Sequence, residues 1–120
     1  MKTLFFLAAL SLPFLSHSLE FEIQTENEHV RVSKIKLLPA DELDWHRDDL
    51  YRVLTALKGG TVTRIEQDGS SRQVTFPTGV GVFLPPDPAG QLHRTINTSP
   101  NEIEGILVEL KNGADKCLKL

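Results

Sequence analysis

Pro88-Ala89-Gly90-Gln91-Leu92-His93-Arg94-Thr95-Ile96-Asn97 is the stretch on which the reading of this 120-residue chain turns. It begins at the end of Pro85-Pro86-Asp87-Pro88. That segment cannot lie inside a central strand, because proline lacks the N–H a ladder needs. A rim loop is therefore expected there, with His93 opening a strand over His93–Asn97. Outward from it, further runs rich in Val, Ile, Thr and Leu stand between Gly, Pro, Asp and Asn: Val30–Leu38, Leu50–Leu57, Thr61–Gln67, Arg72–Phe76, Gly81–Leu84 and Ile103–Leu110. Asp68-Gly69 and Gly59-Gly60 each separate two such runs, the spacing of a tight hairpin turn. No helical period follows residue 18. Strands at this spacing predict an all-β fold, one antiparallel sandwich or barrel.

Composition narrows the function classes. With 24% charged and 40% hydrophobic residues, the chain is too apolar for disorder and too short for two cored domains. The net charge is -3 and no basic run exceeds two residues, so the electrostatic footprint of a nucleic-acid binder is missing. One cysteine, Cys117, excludes an intramolecular disulfide framework and a multi-thiolate zinc site.

Residues 1–18 have the layout of a secretory signal peptide: Lys2, an apolar middle from Leu4 to Leu15, then the small residues Ser16 and Ser18. The apolar stretch is shorter than the roughly 20 residues that cross a bilayer, and Pro13 would interrupt a buried helix. Cleavage is expected between Ser18 and Leu19, giving a periplasmic or secreted protein with no stable membrane span. The domain is expected over residues 19–111, followed by a tail, 112–120, in which Cys117 is an incidental unpaired thiol.

The candidate chemistry lies in two histidines. His46 and Asp48, two residues apart, are expected to share one face of the chain, with His93 opposite. Two imidazoles and one carboxylate make a set suited to Fe(II), and Mn, Ni or Zn are further choices. Ser70-Ser71 beside Asp68-Gly69 is turn chemistry, with no base to activate a nucleophile.

These stretches resemble the cupin superfamily, the RmlC-like jelly-roll barrels. Pro88–Asn97 reproduces the tail of the second cupin motif, Pro-x-Gly followed by His and then Asn, with its spacing intact. Its head is similar to Gly79-Val80-Gly81-Val82-Phe83-Leu84-Pro85, with Val80 where Asp is usual and with Pro86 to Pro88 as additional loop residues. The register of the first motif falls on His46, Asp48, Arg52 and Gly59, so Asp48 stands for the second His and Arg52 for the Glu, while Ala40 holds the position of the leading Gly. Asn27–Val32 and Val108–Lys111 resemble the opening and closing strands of small single-domain bacterial cupins. The resemblance spans roughly residues 28–111. It implies a double-stranded β-helix with its site inside the barrel.

Arg52 leaves three readings open. Either a divalent metal sits on His46, Asp48 and His93 despite the nearby guanidinium, or Asp48 and Arg52 form a metal-free structural pair, or Arg52 receives an anionic ligand through its planar fork. Trp45 and Tyr51 are candidate ligand-stacking residues, with wall packing as the plainer role. Asn97 is expected to tie strand to loop, and His29 to lie at the surface. The leading expectation is an exported barrel that binds a small polar or anionic ligand, with or without a metal. The alternatives are a metal-dependent oxygenase or isomerase and a structural barrel that dimerises through Val30–Leu38.

Overall fold

The computed structural model describes residues 19–111. They form nine strands: β1 (Glu20–Glu26), β2 (Val30–Leu37), β3 (Glu42–His46), β4 (Tyr51–Lys58), β5 (Gly60–Glu66), β6 (Ser71–Phe76), β7 (Gly81–Leu84), β8 (His93–Asn97) and β9 (Ile103–Leu110). All named pairs are antiparallel, in a five-stranded sheet ordered β1-β2-β9-β4-β7 and a four-stranded sheet ordered β3-β8-β5-β6. This is the all-β architecture expected from the Val- and Ile-rich runs. The signal-peptide reading of residues 1–18 and the tail with Cys117 lie outside the described residues, and no described helix is long and apolar enough to cross a membrane.

Two strands were not expected. Glu20-Phe21-Glu22-Ile23-Gln24-Thr25-Glu26 alternates polar and apolar residues, a strand pattern, yet every one of its residues is exposed. β3, Glu42-Leu43-Asp44-Trp45-His46, is short and acid-bearing. Both are sheet edges. An edge strand packs on one side only and tolerates charge, so it carries no continuous apolar run.

Asp68-Gly69 closes the β5–β6 hairpin as expected: Gly69 has φ +91°, its N–H donates to Glu66 O at 3.0 Å, and Asp68 Oδ1 accepts from Ser70 N at 2.8 Å. Gly59-Gly60 is not a hairpin, because β4 belongs to one sheet and β5 to the other. Gly59 instead marks the crossing between sheets. A Cβ there would lie 2.2 Å from Phe76 O and 2.7 Å from Thr78 N, both backbone atoms, so only glycine fits.

Inward-facing side chains grade from apolar to polar along the barrel. Leu37, Leu54, Ala56, Val62, Phe76 and Ile103 are buried at one end. Asn97 closes that end, 1% exposed, donating from Nδ2 to Leu37 O and Asn101 O, both at 2.9 Å, while its Oδ1 accepts from the Ser99 amide. It thus ties strand to loop, as expected. Between the sheets lies a cavity of about 350 Å³, with apolar walls at this end and His46, Asp48, Arg52, Arg64 and His93 at the other.

Candidate metal centre

His46 ends β3 and His93 opens β8, and the two are direct cross-strand partners. Paired positions on neighbouring strands put both side chains on one face, and the rings lie 4.3 Å apart, tilted by 56°. Asp48 does not share a strand face with His46. β3 stops at His46, and Asp48 reaches the site from the segment leading to β4. The backbone holds it there: Asp48 N donates to Asp87 Oδ2, and Asp87 N donates to Asp48 O, both at 2.8 Å.

Three ligand atoms converge within 4.8 Å of one another. His46 Nε2 is 3.5 Å and His93 Nε2 3.6 Å from the same atom, Asp48 Oδ2. A cation with bonds of about 2.1 Å to tetrahedrally placed ligands keeps those ligands about 3.4 Å apart, so the separations fit. The tautomer of His46 fits too. His46 Nδ1 lies 2.6 Å from Asp44 O, a carbonyl that can only accept, so Nδ1 carries the hydrogen and Nε2 faces Asp48. His93 Nδ1 is buried and faces the Asp87 carboxylate at 3.3 Å without the alignment of a hydrogen bond. With its Nδ1 hydrogen on Asp44 O, neutral His46 turns the Nε2 lone pair on the Asp48 carboxylate, a repulsion that a proton or a metal between them relieves.

In the protonated arrangement the groups differ in behaviour. The hydrogen bond to Asp48 raises His46 above the ordinary imidazole value, against the opposing effect of burial. Burial alone would raise Asp48, but the His46 hydrogen bond and the Arg52 charge outweigh it and hold the carboxyl below its usual range. Burial, then the charges of Arg64 and His46, lower His93.

Arg52, on β4, places Nη1 3.1 Å from Asp48 Oδ2 and donates from Nη2 to Pro85 O at 3.3 Å, while its buried Nε has no partner. Its terminal nitrogens are therefore engaged. The stacking candidates lie elsewhere: neither Trp45 nor Tyr51 is among the cavity-lining residues. Trp45 is 43% exposed beneath the guanidinium of Arg94, which pairs with Glu42. Tyr51 stacks on Phe83, ring centroids 5.8 Å apart.

Sequence reasoning missed Asp87 and Arg64. Asp87 stood only as part of a proline-rich rim loop, yet it is buried, with Oδ2 on the Asp48 amide and Oδ1 accepting from Arg64 Nη2 at 3.1 Å. Arg47 fixes the same loop by donating to Asp87 O and Pro88 O. An acid flanked by prolines, whose rigid backbone fixes where it points, was the available signal.

No family model matches the sequence, and no curated protein matches it. Solved structures do. A cupin domain from Bordetella pertussis Tohama I is 26% identical, with TM-score 0.68 over 79% of this chain and 95% of that one. An RmlC-like cupin family protein with a double-stranded β-helix fold from Methanocaldococcus jannaschii is 20% identical, with TM-score 0.58 over 89% and 91%. A double-stranded β-helix protein from Klebsiella pneumoniae is 16% identical, with TM-score 0.60 over 92% and 91%. The chain therefore has the cupin double-stranded β-helix fold. Inside that fold, His46, Asp48 and His93 form a group that could hold a metal ion.

Proposed function

We propose that this is an exported metal-binding cupin that holds one divalent cation on His46, Asp48 and His93 beside a cavity for a small polar or anionic ligand. The observation that carries the reading is the convergence of two Nε2 atoms on Asp48 Oδ2 at 3.5 and 3.6 Å. Two imidazoles and a carboxylate suit Fe(II), Mn(II), Ni(II) or Zn(II). When bound, such an ion supplies Lewis-acid polarisation of a ligand oxygen. Arg52 favours binding over oxygenase or isomerase chemistry. Its Nη1 lies 3.1 Å from Asp48 Oδ2, beside the point where enzyme chemistry would need open coordination positions. A guanidinium about 4 Å from even a unit positive charge costs about 4 kcal/mol at an effective dielectric of 20, a cost the metal site itself must carry.

A second reading rests on the 3.1 Å contact of Arg52 with Asp48, which makes the pair the barrel's own polar content without a metal. Elemental analysis of the protein purified without chelator, beside His46→Ala and His93→Ala, separates the two. Near-stoichiometric metal in the wild type, lost in both variants, is expected. No metal after incubation with excess Fe(II), Mn(II), Ni(II) and Zn(II) would leave the structural pair.

A further inference from the structure

The charged side chains around the cavity are matched, with one exception. Asp48 is paired with Arg52, and Arg64 is held between Glu66 at 2.6 Å and Asp87 at 3.1 Å. Glu109 Oε1 lies 3.5 Å from Arg31. Arg72, on β6, lines the same cavity and makes no side-chain hydrogen bond or ion pair among the described residues. Its direct cross-strand partner is Arg64, whose charge is answered by two acids, so that neighbour does not supply a counterion.

Arg72 also stands at an opening. β6 is an edge strand, with β5 as its one partner, and Arg72 is exposed on it while lining the cavity. Val74 and Phe76 follow Arg72 along the inner face of β6, and Phe21 of β1 is a further apolar residue of the cavity wall. A lone guanidinium therefore stands at the edge of a cavity whose walls continue inward as hydrocarbon. A bare inorganic anion would leave those walls unused, and a neutral hydrocarbon would make no use of the cation.

Given the ligand-binding reading above, we propose that the cavity takes an organic monocarboxylate with an apolar body, its carboxylate on Arg72 at the β6 edge and its body inward along Val74 and Phe76 toward the apolar wall. Arg72, rather than Arg52, is then the anion receptor. The guanidinium fork suits a carboxylate, and the cavity volume lies in the range of small-molecule sites.

The test uses the full-length chain stripped with chelator and titrated calorimetrically with octanoate, hexanoate, octanol and acetate. Octanoate should bind more tightly than either octanol or acetate. Hexanoate should bind more weakly than octanoate by about fourfold per methylene removed. Because Arg72 is exposed, Arg72→Gln should weaken octanoate by roughly three- to fivefold and leave octanol unchanged, while Arg72→Lys retains most of the octanoate affinity. Equal affinity for octanoate and octanol, acetate as good as octanoate, or an Arg72→Gln variant that binds octanoate like wild type would overturn the proposal. The metal reading fails separately. Octanoate binding through Arg72 in a protein that takes up no cation would sink the metal site and keep this inference, and a cation on His46, Asp48 and His93 with no Arg72 effect on octanoate would do the reverse.

Discussion

At the scale of single residues, Asp48 Oδ2 decides the chemistry, because both histidines and Arg52 address that one atom. Arg52 and a metal are competitors for it, so Arg52→Gln should raise the affinity for Zn(II) or Mn(II) by at least about tenfold, read by chelator competition. An unchanged or lower affinity would mean that the guanidinium supports the site. Asp87 acts through others: it holds the Asp48 amide and faces His93 Nδ1, as carboxylates behind metal-bound histidines do. Asp87→Asn should weaken metal binding by roughly 10- to 100-fold with His46, Asp48 and His93 all intact. In the metal-free protein the two histidines act on stability with opposite signs. His46 is raised above 6.5, so its contribution is complete below about 6.5 and is lost as pH climbs through the raised value. His93 is lowered, so stability is lost as pH falls from about 6.5 through its depressed value. Urea unfolding with chelator at about pH 5.5 and pH 8 should therefore show His46→Gln costing more at the acid pH and His93→Gln costing more at the alkaline one.

At the scale of elements, the connections carry more information than the strands. Ala40, at the position where the cupin motif carries glycine, has φ +71°, a left-handed conformation that alanine adopts with strain. Ala40→Gly should raise unfolding stability by about 0.5–1 kcal/mol, since relieved strain exceeds the added chain entropy. Gly59→Ala should do the opposite and cost more than about 2 kcal/mol, because its Cβ would meet backbone rather than movable side chains. Central strands such as β2, β4, β8 and β9 were legible in sequence because both their neighbours and the core require β-branched and apolar residues. The edge strands β1 and β3 were not, and β3 is the one that delivers His46. The trio that could hold a metal ion was legible through motif spacing, which survives substitution. Asp87 and Arg64 were not, because what makes them part of the site is burial and pairing across some 20 residues of chain, which no local pattern encodes.

At the scale of the whole molecule, the proposed cation would join parts that the backbone hydrogen bonds leave apart. His46 and His93 belong to the four-stranded sheet, while Asp48 lies on the segment that carries the chain into β4 of the five-stranded one. A cation held by all three would fasten the two sheets at the polar end, opposite the apolar core of Leu37, Phe76 and Ile103. A ligand that binds only the folded state stabilises it by about 2.7 kcal/mol when present at about 100 times its dissociation constant. For a domain of this size each kcal/mol moves the melting temperature by about 4–8 °C, so metal loading should raise it by roughly 10–20 °C. The rise should be reversed by chelator and lost in His93→Ala. That variant separates a site from general ion effects, because His93 is buried and a cation acting on the exposed acids alone would stabilise both proteins equally. A melting temperature that responds to metal in the wild type and in His93→Ala alike would place the cation outside the barrel.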